Sequence, residues 1–311
     1  MRKLYSIEHT IDRTGGVSNI HTLKIADDDY PQRLREISCP PVTLYIEGGL
    51  LRSFSKERRR AVGIVGSRRC SAYGRDMAAR LGEDLSQEGI TIVSGLAEGI
   101  DASAHWGALK GQGGTIAVLG CGLDIVYPKV NQVLYTKIKE TGSVITEFEP
   151  GTLPFHQNFP ARNRIISGLS DLIIVVEGAE RSGALITADF ALEQGKEVMA
   201  VPGRADTRFC KAPHKLLRSG AGLVETSQDV LEELGMDSHS KPKRSGNIPQ
   251  LEALTDEETQ VYRTLAEDSQ NIDEIIMNTG LQTHIVSSIL VILELKRLII
   301  KGLDSKYHVC S

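Results

Sequence analysis

From Ala61 onward, short apolar runs alternate with amphipathic stretches along the chain. AVGIVG leads into GRDMAARLGEDLSQEG, TIVSG into DASAHWGALKGQGG, and TIAVLG into KVNQVLYTKIKETG. SVITEFE, DLIIVVEG and EVMAVPG continue the apolar series. These runs are apolar at consecutive positions, which is the pattern of strands covered on both faces. Strand and helix in alternation predict an α/β fold: a doubly wound parallel-sheet Rossmann-like domain over residues 23–235. Near its start, PQRLREIS reads as a short helix and VTLYIEG as a short strand. Residues 1–22 show no clear period and are expected to form a weakly ordered lead-in.

Residues 236–250, MDSHSKPKRSGNIPQ, are polar and rich in Ser, Pro and Lys, the composition of a linker. From 251 to 311 the period is helical again. LTDEETQVYRTLAED, NIDEIIMNTG and QTHIVSSILVILELKRL predict three amphipathic helices; LIIKG and SKYHVC predict a hairpin. Together they predict a small C-terminal winged-helix domain over residues 251–311.

The chain has 311 residues, 41% apolar and 24% charged, as in an ordinary globular protein of more than one domain. No stretch approaches the roughly 18 uncharged apolar residues of a membrane span. The N-terminus lacks the apolar core of a signal peptide. A cytoplasmic location without a membrane partner is expected. Five cysteines, at 39, 70, 121, 210 and 310, form no CxxC pair, which argues against zinc or a disulfide framework. No metal or cofactor is expected.

A net charge of −4 offers no global attraction to a polyanion, but the charge is unevenly placed. Residues 52–75 carry eight Lys or Arg against Glu57 alone, net +7, and the block is expected to flank the first strand-end loop. Residues 251–311 carry five basic and ten acidic groups, net −5. A DNA-reading winged helix needs a basic recognition helix. Here THIVSSILVILELKRL is mostly apolar, with Lys296 and Arg297 only at its end, so the module is expected to bind protein.

In an open parallel sheet, ligands bind beyond the carboxyl ends of the strands. Those positions hold Gly66-Ser67-Arg68-Arg69, Ser94-Gly95, Glu98-Gly99-Ile100-Asp101 and Gly120-Cys121-Gly122. They also hold Gly178, Arg181-Ser182-Gly183 and Pro202-Gly203-Arg204. Glycines admit a ligand to the backbone, and helix N-termini offer N–H groups to an anion, so this edge reads as a phosphate-binding rim. No GxGxxG follows the first strand and no GxxxxGK[ST] occurs, which argues against a dinucleotide or a Walker-bound triphosphate.

FPARNRIISGLS, residues 159–170, reads as a helix start with Pro160 at its first position. Arg162 and Arg164 then project about 200° apart. One is expected to face the rim with Phe159 and Asn163; the other pins the helix to a neighbour or meets a second phosphate. Asp101 and His105, four residues apart, read either as an acid/base pair or as a helix cap with a buried support for the rim. The supporting role is favoured, because no nucleophile or metal spacing accompanies them. No catalytic residue is expected.

VGSRRCSAYG (65–74), SGLAEGIDASAH (94–105), GCGLDIVYP (120–128), FPARNRIISGLS and SGALITADFALEQGKEVMAVPG (182–203) together resemble the DNA-processing protein A family, also called Smf. The resemblance spans residues 25–234 and the winged helix. It implies a non-enzymatic single-stranded DNA-binding recombination mediator of natural transformation. Such a protein protects incoming strands, loads the RecA recombinase and acts as a homodimer. By matched motif it implies DNA contacts at Ser67, Arg68, Phe159, Arg162, Asn163, Arg164, Ser182 and Gly183. The strand-end reading adds Gly66, Arg69 and Gly95.

Relatives often carry an N-terminal helical domain; only a short lead-in stands here. They often place a lysine before FPxRNR, where the nearest candidate is His156. They often read SxGxN before LIxxGA, where Cys210, Ala212 and His214 stand. The alternative reading is a nucleotide phosphoribohydrolase-like enzyme or a nucleotide-sensing protein of the same superfamily. The glutamate of its PGGxGTxxE motif has no counterpart in SGALITADF.

Overall fold

The computed structural model describes residues 7–11, 17–57, 59–236, 254–267, 270–296, 298–301 and 306–309. The chain divides into two compact units, 1–238 and 239–311. Most of the expected linker, residues 237–250, lies outside the described residues, as do Arg58 and Arg297.

The first unit is built on one sheet of ten strands. In chain order they are β1 (Ile7–Ile11), β2 (Val17–Lys24), β3 (Thr43–Gly48), β4 (Ala61–Val65), β5 (Thr91–Ser94), β6 (Thr115–Val118), β7 (Ser143–Thr146), β8 (Leu172–Val175), β9 (Glu197–Ala200) and β10 (Gly222–Leu223). Their spatial order is β1-β2-β3-β7-β6-β5-β4-β8-β9-β10. From β7 to β10 every neighbouring pair is parallel, as the apolar runs predict. The other side of the sheet is antiparallel: β3 against β7, β2 against β3 and β1 against β2. β1 and most of β2 therefore lie inside the stretch expected to be a weakly ordered lead-in. β2 forms by pairing with β3, and β1 by pairing with β2, so both depend on the sheet across a sequence gap that a local hydrophobic pattern does not register.

The helices of this unit are α1 (Gln32–Arg35), α2 (Leu50–Glu57), α3 (Ala72–Gln87), α4 (Ile100–Ala108), α5 (Gln132–Thr141), α6 (Asn158–Leu169), α7 (Gly183–Glu193), α8 (Lys211–Arg218) and α9 (Ser227–Glu233). They cover both faces of the sheet. Ala61 and Val65 of β4 join a core with Leu34, Phe54, Ile165, Leu169, Ala188 and Leu216, from α1, α2, α6, α7 and α8. Val62 and Ile64 of the same strand join a core with Met77, Leu81, Ile100, Ala104 and Val230, from α3, α4 and α9. Alternate side chains of a strand point to opposite faces, so a strand buried on both must be apolar throughout.

Chain order fixes where a ligand can enter. From β4 the strands run outward through β5 and β6 to β7; β8 then returns to the other side of β4. The β4–β8 junction is the topological switch point, where the loops leaving neighbouring strands diverge and leave a crevice.

The second unit holds α10 (Asp256–Glu267), α11 (Ile272–Thr279), α12 (Thr283–Leu295) and an antiparallel hairpin, β11 (Ile299–Lys301) with β12 (Tyr307–Val309). Val261, Leu265, Ile275, Val286, Leu290 and Leu293 form its core. Asn271 and Glu274 make a capping box at the start of α11, and Gly280 ends that helix at φ 69°. This is the expected winged helix. Among the described residues, no single helix is long and apolar enough to cross a membrane.

Candidate nucleic-acid interface

A cavity of about 530 Å³ lies at the switch point. Three chain segments line most of it. The loop after β4 brings Gly66, Ser67 and Arg68; the start of α6 brings His156, Phe159, Pro160, Arg162 and Asn163; the start of α7 brings Arg181, Ser182, Gly183 and Thr187. Ser182 caps α7, its hydroxyl accepting the Ala184 N–H at 3.3 Å. The positive end of the α7 dipole thus meets the cavity.

Phe159 is the centre of an aromatic group. The Arg68 guanidinium lies 4.9 Å from its ring centre. Tyr127 stacks on it at 5.6 Å with 30° between planes, and His156 meets it edge-on at 6.3 Å. A second cavity, of about 30 Å³, shares Arg68, Phe159 and Arg162 with the first and adds Gly95, Gly120 and Tyr127. A ring with a guanidinium beside it can stack a nucleobase while the cation meets a phosphate.

α6 starts two residues earlier than expected. Asn158 is its first residue and Pro160 its third, not its first. The buried Asn158 side chain sets this start, donating to the carbonyls of Gly120 at 3.1 Å and Leu153 at 3.3 Å. Proline is tolerated at the third position because the first turn has no intrahelical acceptors for its N–H groups.

Arg162 and Arg164 separate as the helical angle predicts. Arg162 is 5% exposed and lines both cavities. It donates to the carbonyls of Gly95, at 2.7 Å, and Val118, so it ties the ends of β5 and β6 together. It also meets Asn163 Oδ1 at 3.2 Å. Burial draws its guanidinium down to about 10; Asp101 opposes the shift and Arg68 adds to it. Two like charges thus share the cavity, and an anion placed between them relieves their repulsion. Arg164 points elsewhere: it forms a two-pronged pair with Glu147, at 2.8 and 2.6 Å, outside both cavities.

Asp101 and His105 do not form a pair. The N-cap of α4 is Gly99, so Asp101 is not the cap that the sequence suggested. Its buried carboxylate instead accepts the Gly95 N–H at 3.1 Å. Burial raises its pKa, against the Arg162 charge and the backbone N–H groups of Ala97, Gly95 and Gly66. Gly95 has no room for a side chain: a Cβ there would lie 2.7 Å from both Arg162 Cζ and Asp101 Oδ2. His105 is fully buried and bonded through Nδ1 to the Thr115 hydroxyl at 2.7 Å. Asp101 thus holds the loop after β5 beside the cavity, whereas His105 is bonded to the first residue of β6, away from it.

Of the residues expected to meet DNA, Gly66, Ser67, Arg68, Phe159, Arg162, Asn163, Ser182 and Gly183 come together on the larger cavity, and Gly95 on the smaller. Arg69 is exposed beside the cavities without lining either. The +7 block does not act as one patch. Lys56, Arg59 and Arg60 lie before β4, at the opposite end of that strand from Arg68, and pair with Asp29, Glu57 and Asp171. A buried strand carries the chain from one edge of the sheet to the other, so charges adjacent in sequence separate in space. Tyr127 and Thr187 escaped the sequence reading. Tyr127 is the next-to-last residue of the GCGLDIVYP motif, and Thr187 lies one helical turn after Gly183 on the cavity side of α7.

In the second unit, α12 carries no Lys or Arg between Thr283 and Leu295. Lys296, just beyond it, pairs with Glu258 at 2.9 Å. Among the described residues, no group of three His, Cys, Asp or Glu is placed to hold a metal ion.

Residues 21–235 match the family DNA recombination-mediator protein A, and residues 247–301 match the DprA winged helix domain. The chain is 45% identical over 213 residues to DNA processing protein DprA of Streptococcus pneumoniae, covering 68% of this chain and 73% of that one. It is 42% identical over 215 residues to the Bacillus subtilis protein of the same name, covering 69% and 71%. The Streptococcus pneumoniae crystal structure superposes with a TM-score of 0.65 at 44% identity, over 68% of this chain and 73% of that one. DNA processing protein A of Helicobacter pylori, whose structure concerns its single-stranded DNA binding mode, superposes with a TM-score of 0.62 at 29% identity, over 70% and 96%.

Proposed function

The chain belongs to the DNA recombination-mediator protein A family, and from that premise we propose that it binds single-stranded DNA in the switch-point cavity. The observation that carries the reading is Arg68. Its guanidinium has no carboxylate partner among the described residues, lies over Phe159 and borders a cavity of about 530 Å³. A phosphate would meet Arg68, Arg181 and the start of α7, with a base against the Phe159–Tyr127 stack. Gly66, Ser67, Arg162, Asn163, Ser182 and Gly183 complete the surface, with Gly95 beneath it. The reading is of a binder and not an enzyme: Asp101 is the one carboxylate lining the larger cavity, and it is engaged by backbone N–H groups and Arg162. In this role the protein would act as a homodimer in the cytoplasm, shield incoming strands during natural transformation and load RecA onto them. The winged helix, acidic and without a basic recognition helix, would serve protein contacts.

The test is a salt series with an oligothymidylate and a duplex of equal length. The single strand should bind more tightly, and Arg68→Ala should reduce the slope of log K against log salt by about 0.7, one phosphate's share. Unchanged single-strand binding by Arg68→Ala at physiological salt would sink the proposal. The mediator role is tested separately, by nuclease protection of the strand and by the rate of RecA assembly on it.

A further inference from the structure

One buried residue grips both ends of the loop that carries Arg68. Glu177 follows β8 and is 2% exposed. Its backbone carbonyl accepts the Ser67 N–H at 2.8 Å. Its carboxylate accepts the Ser71 N–H at 2.8 Å through Oε2 and the Ser71 hydroxyl at 2.5 Å through Oε1. Arg68, Arg69 and Cys70 are the residues in between. The Ser71 hydroxyl oxygen in turn accepts the Gly74 N–H at 3.0 Å and caps α3. The carboxylate therefore sits at the N-terminal, positive end of the α3 dipole. Gly74 makes the room: a Cβ there would lie 2.4 Å from the Glu177 carboxyl carbon.

A carboxylate is the group this position requires. Ser71 presents two donors side by side, and only a carboxylate offers two acceptors and no donor. Glutamine would turn an N–H₂ toward one of them. Glu177 lines neither cavity and cannot touch a strand bound there.

We propose that Glu177 is a positioning residue for DNA binding: by holding Ser71 while its own carbonyl holds Ser67, it fixes the 67–71 loop and so sets Arg68 against Phe159. The inference rests on the DNA-binding reading above. With the Ser71 end released, Arg68 must be ordered anew each time a strand binds, which weakens affinity without removing any contact.

The test is a double-mutant cycle on the full chain, read by fluorescence anisotropy with a labelled oligothymidylate. Glu177→Gln should weaken binding by about 3- to 10-fold in the parent, the range for immobilising one long side chain, and by less than about twofold in Arg68→Ala. Ser71→Ala loosens the same clamp at the cost of one helix cap, and should show the same dependence on Arg68 even if Glu177→Gln fails to fold. Equal losses in both backgrounds, or no loss from either substitution, overturn the proposal. If Arg68→Ala itself binds like the parent, the DNA-binding reading falls instead.

Discussion

Arg162 and Arg164 are two residues apart and do different work. Arg162 is satisfied by carbonyls at two strand ends and still faces the cavity; Arg164 is matched to Glu147 away from it. Arg164→Ala should lower stability by about 2 kcal/mol, because it leaves the half-buried Glu147 carboxylate without its cation. Its affinity for single-stranded DNA should stay within about twofold of the parent, since neighbouring loops keep their anchors. Urea denaturation reads the first quantity and anisotropy the second. A large loss of affinity in a stable Arg164→Ala protein would place Arg164 among the DNA contacts after all. The helical angle foretold that the two arginines part company. It did not say which one goes where, because Glu147 reaches Arg164 only through the placement of the segment after β7.

For elements, the informative case is the register of α6. Pro160 occupies a position whose N–H would have no helical partner, whereas Ala161 donates the first N–H of the intrahelical ladder. Pro160→Ala should therefore change stability by less than about 1 kcal/mol, through the unfolded chain alone. Ala161→Pro should cost about 3 kcal/mol, the loss of that bond plus the clash of the ring with the preceding turn. Thermal unfolding of the two variants settles the register; similar costs for both would move the helix start. Strands β4 to β9 and the helices between them were legible in their period. β1 and β2 were not, because an antiparallel edge pair is held by its neighbour and not by a local pattern.

For the molecule as a whole, acid stability depends on a group that no ligand touches. Burial first, and then the Arg162 charge, hold the His105 imidazole down to about 3, against 6.5 in the open. As pH falls through 6.5 the unfolded chain takes up a proton there that the native protein refuses until about 3. The folded pKa is the depressed one, so stability is present above 6.5 and lost on acidification, by up to about 1.4 kcal/mol per pH unit. The raised Asp101 carboxyl acts in the opposite sense, so the test compares His105→Gln with the parent at each pH. Urea unfolding should give a shallower pH dependence in the variant across this window. Parallel curves would mean that His105 is protonated in the native state.

The sequence by itself determined the α/β class, the winged helix and most of the residues that meet at the cavity. Apolar period and strand-end glycines are local properties, and a doubly wound sheet brings strand ends to one edge wherever they lie in the chain. Only the tertiary structure decided which charges share that edge. It sent Lys56, Arg59 and Arg60 to the far end of β4 and Arg164 to Glu147, and it drew Tyr127 and Glu177 toward Phe159 and Ser71. Side-chain partners depend on where distant segments pack, and one dimension of sequence does not carry that distance.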